Sequence, residues 1–249
     1  MKTLILSDIH ANWHALEAIL AKEPYDYLIF LGDAVDFGPN PRECIKFLMN
    51  SFNKGRFSGV RGDHDNALAY GIRCRCSDEL SRLSTATREW GEDILASKDV
   101  GFLRRLPLDS SFTLDGISFH IAHDLYRNRT NTRVNDGDEI SEFDLENQFS
   151  SVTSDFILVG HSHKPFIRRL GKTIVLNPGS VGQPMDFNPR ASYALIEDGM
   201  ATIKRVRYDI EKTVKDLEKT TLPRNVIARL VSILVVGGLV EEKQYLNPN

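Results

Sequence analysis

The residues of this chain most able to do chemistry are histidines and aspartates that gather where apolar runs stop. Gly160-His161-Ser162-His163 follows Phe156-Ile157-Leu158-Val159 and sets two imidazoles two residues apart. An extended or turning backbone can aim both rings at one small volume, and imidazole is a common ligand for zinc, iron and nickel. Alone, such a pair is most often a solvated surface feature. Here the device recurs. Asp8 and His10 follow Thr3-Leu4-Ile5-Leu6, and Asp33 and Asp36 follow Tyr27-Leu28-Ile29-Phe30-Leu31. Asp63-His64-Asp65 follows the run from Phe57 to Val60, and His123 and Asp124 follow Ile117-Ser118-Phe119-His120-Ile121. Any one of these is an ordinary turn composition. Five strand ends that each carry Asp or His point instead to one shared site.

The elements that must position these groups read as alternating strands and helices. Asn12 stands where it can cap a helix with Trp13, Leu16, Ile19 and Leu20 inward, and Pro24 ends it. Asn40 as N-cap and Pro41 as first helical residue open a second helix with Cys44, Ile45, Phe47 and Leu48 inward. Residues 66–110 read as a mostly helical segment near the site. The polar stretch 125–139, with Arg127, Arg129 and Arg133, reads as a mobile loop. A strand from Thr173 to Leu176 leads into Asn177-Pro178-Gly179-Ser180, and Ser192–Ile196 and Ala201–Val206 form a hairpin around Asp198-Gly199. Residues 208–249 form a helical tail, two helices split at Leu222-Pro223, whose Ile227, Leu230, Leu234 and Val235 should pack on the core or on a second subunit. The alternation predicts a single α/β domain over 1–249, with its crevice at the carboxyl ends of the strands. His120 alternates away from the strand end and reads as a packed core residue.

Composition narrows the partners. The chain has 249 residues, 41% hydrophobic and 26% charged, with a formal net charge of −3, so it lacks the basic footprint of a bulk nucleic-acid binder. The longest apolar run, Leu230 to Val240, is far short of the ~20 residues of a membrane span. Met1-Lys2 leads straight into a strand-like run, which reads as cytoplasmic. Three cysteines, Cys44, Cys74 and Cys76, are too few for a disulfide framework and read as thiols in a reducing compartment.

In order, Asp8-Ile9-His10, Gly32-Asp33, Gly62-Asp63-His64-Asp65, Ala122-His123 and Gly160-His161-Ser162-His163 resemble the five signature blocks of the calcineurin-like metallophosphoesterases. They span about two thirds of the chain. Phe37-Gly38-Pro39-Asn40-Pro41 and Asn177-Pro178-Gly179-Ser180-Val181-Gly182-Gln183-Pro184 resemble the small prokaryotic phosphodiesterase branch. The resemblance implies two mixed β-sheets packed face to face with helices on the outer faces, an αββα sandwich. It also implies two transition-metal ions, divalent or trivalent, with manganese first and iron, zinc or nickel as alternatives. Asp8, His10, Asp33 and His163 would hold one, and Asp33, Asp63, His123 and His161 the other, with Asp33 bridging. Two cations ~3.5–4 Å apart clamp a phosphoryl group and generate a nucleophile from water at neutral pH. His64 matches the general acid, with Asp36 or Asp65 orienting its ring.

Three departures mark this chain. The second-metal block usually reads Gly-Asn-His, and here its middle residue is Asp63. Phe37 stands where the protein serine/threonine phosphatases carry an arginine, which argues against that branch. Met185 stands where the small phosphodiesterases often have an arginine after Gln-Pro, so the Arg127–Arg133 loop, through Arg127 and Arg129, is the candidate phosphate anchor. The expected function is hydrolysis of a small phosphodiester or nucleotide by a metal-dependent phosphoesterase, and the expected partner is that small phosphoester, with homo-oligomerisation through the tail as a further expectation. The alternative is a non-catalytic interaction scaffold on the same fold.

Overall fold

A computed structural model of the protein describes residues 1–72, 74, 76–124, 149 and 151–240. The first half-sandwich is built from β1 (Lys2–Leu6), α1 (Trp13–Lys22), β2 (Tyr27–Phe30), α2 (Pro41–Asn53) and β3 (Phe57–Gly59). The three strands run parallel, as two-sided burial of their continuous apolar runs requires. α3 (Asp63–Tyr70), α4 (Asp78–Ile94) and α5 (Ser97–Arg105) follow, so the expected helical segment gives way to β4 (Asp109–Leu114) just before its predicted end. β5 (Ile117–Ala122), β6 (Phe156–Leu158), β7 (Phe166–Leu170) and β8 (Thr173–Asn177) complete the second sheet. The chain then returns to the first sheet as the β9 (Ala191–Glu197) and β10 (Met200–Val206) hairpin, ahead of α6 (Ile210–Glu218) and α7 (Arg224–Val236).

Both sheets are mixed and five-stranded, in the orders β10-β9-β1-β2-β3 and β4-β5-β6-β8-β7. Side chains alternate along β1, and that alternation sorts its apolar run into two layers. Ile5 joins Ile29, Phe119, Ile121, Leu158 and Leu176 between the sheets, whereas Leu4 and Leu6 join Leu16, Ile19, Ile45, Leu48 and Phe102 beneath the outer helices. Phe112, Phe119 and Phe156 stack across the second sheet with centroids 5.4 and 5.6 Å apart. On the outer face of that sheet, Ile157, Val159 and Val175 pack with Phe149.

Two strands have no counterpart in the sequence reading. β4 and β7 are edge strands of the second sheet, with only alternate or terminal residues partly covered, so their sequences, DSSFTL and FIRRL, carry little apolar signal. Asn12 caps α1 as expected, accepting from Ala15 N at 3.2 Å. Asn40 stands at the N-cap of α2 but makes no capping bond; its amide reaches Asp216 on α6 instead, at 3.1 Å. In the tail, Leu230, Ile233 and Leu234 are buried against Phe37, Leu80, Leu83 and Leu217, with Ile227 packed alongside. Val235, expected inward, is 54% exposed, because it falls on the outer side of α7. The tail therefore buttresses α4 within the same chain; its residues 241–249 lie outside the described ones.

Candidate metal centre

Seven residues from five strand ends meet at one end of the sandwich. Asp8 and His10 follow β1, Asp33 follows β2, and Asp63 opens α3 just past β3. His123 follows β5, and His161 and His163 follow β6. Five of them, Asp8, His10, Asp33, His161 and His163, have φ between 45° and 66°, the left-handed region that costs an ordinary residue about 1 kcal/mol or more. The surrounding fold must hold this strain. Glycines make the close approach feasible. A Cβ on Gly62 would fall 2.0 Å from Asp33 Oδ1, and one on Gly32 would fall 2.5 Å from Gly62 N, so the ends of β2 and β3 come together backbone to backbone.

The ligand atoms form two groups that meet at Asp33. In the first, His10 Nε2 lies 3.1 Å from His163 Nε2, and His163 Nε2 lies 3.4 Å from Asp8 Oδ1. In the second, Asp63 Oδ1 lies 3.3 Å from both His123 Nε2 and His161 Nδ1. Asp33 Oδ2 stands between them, 3.8 Å from His10 Nε2 and 3.1 Å from His123 Nε2.

Tautomers follow from the backbone. His10 Nδ1 meets Val35 O at 2.9 Å, His163 Nδ1 meets Gln183 O at 2.6 Å, and His123 Nδ1 meets Leu31 O at 2.7 Å. A carbonyl only accepts, so each Nδ1 carries a hydrogen, and wherever the ring is neutral its Nε2 lone pair turns to the centre. Burial pushes His10 well down and His163 down as well, which favours the neutral rings. Burial also works against charge on His123, but Asp33 and Asp63 overcome it and raise that ring well above its ordinary value. At His161 burial is again opposed by Asp63, which lifts the ring to about 9. Asp8 Oδ2 and Asp33 Oδ2 are buried and make no hydrogen bond. Facing lone pairs, orphaned carboxylate oxygens and a donor set of oxygen and imidazole nitrogen fit two cations.

Around this centre the sequence left one choice open, and the geometry makes it. His64 Nδ1 lies 2.7 Å from Asp36 Oδ2, whereas Asp65 does not reach the ring. Both Asp65 oxygens are occupied by backbone amides, Oδ2 by Asp33 N at 2.8 Å and Gly62 N at 3.0 Å, and Oδ1 by Ala34 N at 2.8 Å. Burial and the adjacent Asp33 push Asp65 up to about 7. Asp65 thus clamps the Asp33 loop to the start of α3, and the carboxylate that meets the His64 ring is Asp36.

Asp36 is itself held by Arg88 of α4, whose Nη2 lies 2.6 Å from Asp36 Oδ2. Nothing in the sequence singled out Arg88, one charged residue on a helix of many. Burial works against a charged His64, and Asp33, Asp63 and Asp36 outweigh it, raising the ring well above its ordinary value. His120 lies on the outer face of its sheet, with Nδ1 2.8 Å from Ser111 Oγ and its ring near Phe149. The Asn177–Pro184 block braces the ligand loops. Asn177 Nδ2 donates to Gly160 O at 2.7 Å, Ser180 Oγ donates to Asp8 O at 2.7 Å, and Gly182 N donates to Asp8 O at 3.0 Å.

A cavity of about 210 Å³ opens beside the centre. Its lining mixes polar groups of Asp33, His64, His161, His163 and Gln183 with the apolar side chains of Phe37, Leu80, Met185, Phe187 and Leu239. Among the described residues lining it none is Lys or Arg. Arg127, Arg129 and the rest of the 125–139 loop lie outside the described residues.

Residues 1–198 match the model of the calcineurin-like phosphoesterase superfamily domain. An uncharacterized protein of Methanocaldococcus jannaschii is 30% identical over 242 residues, covering 88% of this chain and 93% of that one. A metallophosphoesterase from Sphaerobacter thermophilus superposes with a TM-score of 0.73 at 28% identity, covering 95% of this chain and 99% of that one. A shorter match, 33% identical over 76 residues, covers 26% of this chain and 31% of the asymmetrical bis(5'-nucleosyl)-tetraphosphatase PrpE of Bacillus subtilis.

Proposed function

This chain belongs to the calcineurin-like phosphoesterase superfamily, and from that premise we propose that it hydrolyses a small phosphodiester or nucleotide at a two-metal centre. The observation that carries the reading is the position of Asp33 Oδ2, within 3.8 Å of a ring nitrogen from each ligand group. Asp8, His10 and His163 would hold one ion with Asp33, and Asp63, His123 and His161 the other. The ions would supply charge to the phosphoryl oxygens and a nucleophile at neutral pH.

The remaining work falls to this chain's own residues. His64, standing on the wall of the cavity, would deliver the proton from Nε2 to the departing alkoxide, while Nδ1–H stays on Asp36. Arg88 fixes Asp36 and so the plane of the ring. The apolar side chains of Phe37, Met185, Phe187 and Leu239 in the cavity lining suit an ester whose alcohol carries a flat or apolar group. PrpE acts on a dinucleoside tetraphosphate, as its name states, and its similarity to this chain keeps nucleotides among the substrates to try.

On the scaffold alternative, the Arg88–Asp36–His64 chain has no purpose. Elemental analysis of the protein reconstituted with excess manganese, followed by a panel of phosphodiesters, nucleotides and phosphomonoesters, tests the reading. Two ions per chain and turnover of at least one ester are expected. Absence of bound metal with no hydrolysis would favour the scaffold.

A further inference from the structure

Beside the centre, and using none of its metal-ligand residues, lies a second cluster that shares only His64 with the two-metal reading. Cys74 Sγ stands 3.3 Å from Cys76 Sγ, and each of these thiols offers its sulfur within 4.8 Å of a ring nitrogen of His64. Two soft sulfurs and one imidazole converging on a point are a zinc-type donor set, and one that hard cations such as manganese or magnesium do not favour. The rest of the cluster is arranged as such sites are. His64 directs Nδ1 at the Asp36 carboxylate at 2.7 Å, the carboxylate–histidine pairing that fixes a ligating ring and leaves Nε2 outward. Cys74 also contacts Ser84 Oγ at 3.2 Å and Arg88 Nη2 at 3.6 Å. Its neighbour Cys76, then the charge on His64, then Ser84 and Arg88, lower Cys74 to about 5 against the effect of burial. Cys76 opens onto the cavity that His64 lines, which gives an ion a route in.

We propose that Cys74, Cys76 and His64 form a third, thiophilic metal site that takes zinc, with the fourth position open to the cavity. With Nδ1 held by Asp36, an ion here would take His64 Nε2. On the reading of His64 as general acid, which this consequence rests on, zinc at this site inhibits the enzyme while the two-metal centre stays loaded. Binding itself does not depend on that reading.

Cadmium reports thiolate ligation directly, since sulfur-to-cadmium charge transfer absorbs in the ultraviolet and the oxygen and nitrogen ligands of the main centre contribute none of it. The full-length, reduced protein is titrated with cadmium, and zinc is then added as competitor. The expected result is a band that saturates at the amplitude of two thiolates per chain and that zinc abolishes. Cys74→Ser and Cys76→Ser should each remove most of it, Cys44 being the control thiol left in place. His64→Asn should keep a band but weaken cadmium binding by about tenfold or more. Cys76 is only half-buried, so its serine variant is the one least exposed to misfolding. With the manganese-loaded protein, zinc should inhibit the wild type more strongly than Cys76→Ser, each scaled to its own zinc-free rate. No thiolate band in the wild type would overturn the site, and so would a band whose affinity ignores His64→Asn. A band with the expected dependence but no zinc inhibition would keep the site and overturn only the acid role of His64.

Discussion

Nε2 of His10 and Nε2 of His163 stand 3.1 Å apart, and each ring has its Nδ1–H committed to a backbone carbonyl, Val35 O and Gln183 O. Two neutral imidazoles so fixed point lone pair at lone pair, an arrangement that a shared cation turns from repulsive to attractive. The same pair must be brought together from positions 153 residues apart, so the fold works against its own ligands until an ion is bound.

Metal should therefore stabilise this protein strongly. Saturation at ~100 times the dissociation constant adds about 2.7 kcal/mol per site. At roughly 2–4 °C per kcal/mol for a chain of this size, one site is worth a rise of about 5–10 °C in Tm. Calorimetry of chelated and manganese-loaded protein measures it, and Asp33→Asn, which weakens both groups at once, should lose most of the shift together with the activity. An unchanged midpoint on loading would contradict the centre.

His64→Ala should cost ~10²–10⁴-fold in rate on an alkyl phosphodiester. A nitrophenyl ester, whose leaving group needs little protonation, should lose far less. Asp36→Asn should move in the same direction by a smaller factor, because it loosens the ring without removing it. Equal losses on both esters would mean that His64 only shapes the cavity.

Asp63 departs from the usual asparagine. Its Oδ1 faces His123 and His161 at 3.3 Å, which leaves its other oxygen as an acceptor where an amide would donate. Three carboxylates, Asp8, Asp33 and Asp63, also offset more of the charge of two divalent ions than two would. Asp63→Asn should thus bind inorganic phosphate more tightly and raise catalytic efficiency, while releasing the second metal more readily. Product-inhibition and metal-dissociation constants, compared in both proteins, decide it; weaker phosphate inhibition with tighter metal would reverse the argument.

Leu230 of α7 is buried in the cluster that holds Phe37 and, from α4, Leu80 and Leu83, so Leu230→Ala should cost about 2–5 kcal/mol in denaturant titrations. Removal of residues 209–249 should go further and cause aggregation, since it bares the α4 face and strips Leu239 from the cavity wall. A soluble, fully active truncation would show the tail to be dispensable.

Asp216 joins α6 to the first half of the chain, meeting His14 Nε2 at 2.9 Å and Asn40 Nδ2 at 3.1 Å, with Lys219 Nζ at 2.8 Å. Burial opposes its charge, but Lys219, His14 and Asn40 bring the carboxyl down from 3.8 to about 2. A depressed acid contributes stability above its unfolded value and loses it as pH falls through the folded one. Asp216→Asn should therefore cost at most about 1 kcal/mol near neutrality, the carboxylate being partly solvated. That gap should close between pH 4 and pH 2; a constant gap would show that charge plays no part.

The sequence alone determined where the chemistry sits along the chain. Apolar runs such as Thr3–Leu6 and Tyr27–Leu31 must be buried, polar groups at their ends must turn out of the sheet, and both facts are written in adjacent residues. It also fixed the parallel strands, the β9–β10 hairpin and the helices of the tail, for which period and turn residues are local signals. The edge strands β4 and β7 escaped because a strand covered on one side needs few apolar residues. What only the tertiary structure decided are contacts between atoms far apart in the chain. Asp36 rather than Asp65 holds His64, although Asp65 is the nearer in sequence, because both Asp65 oxygens are taken by amides of the Asp33 and Gly62 backbone. Arg88 reaches Asp36 across 52 positions, and Cys74 and Cys76 come to His64 from a polar loop whose composition promised nothing. Spacing along a chain constrains which side chains share a face over a few residues; which carboxylate, thiol or imidazole ends up within 3 Å of another is set by the packing of whole elements.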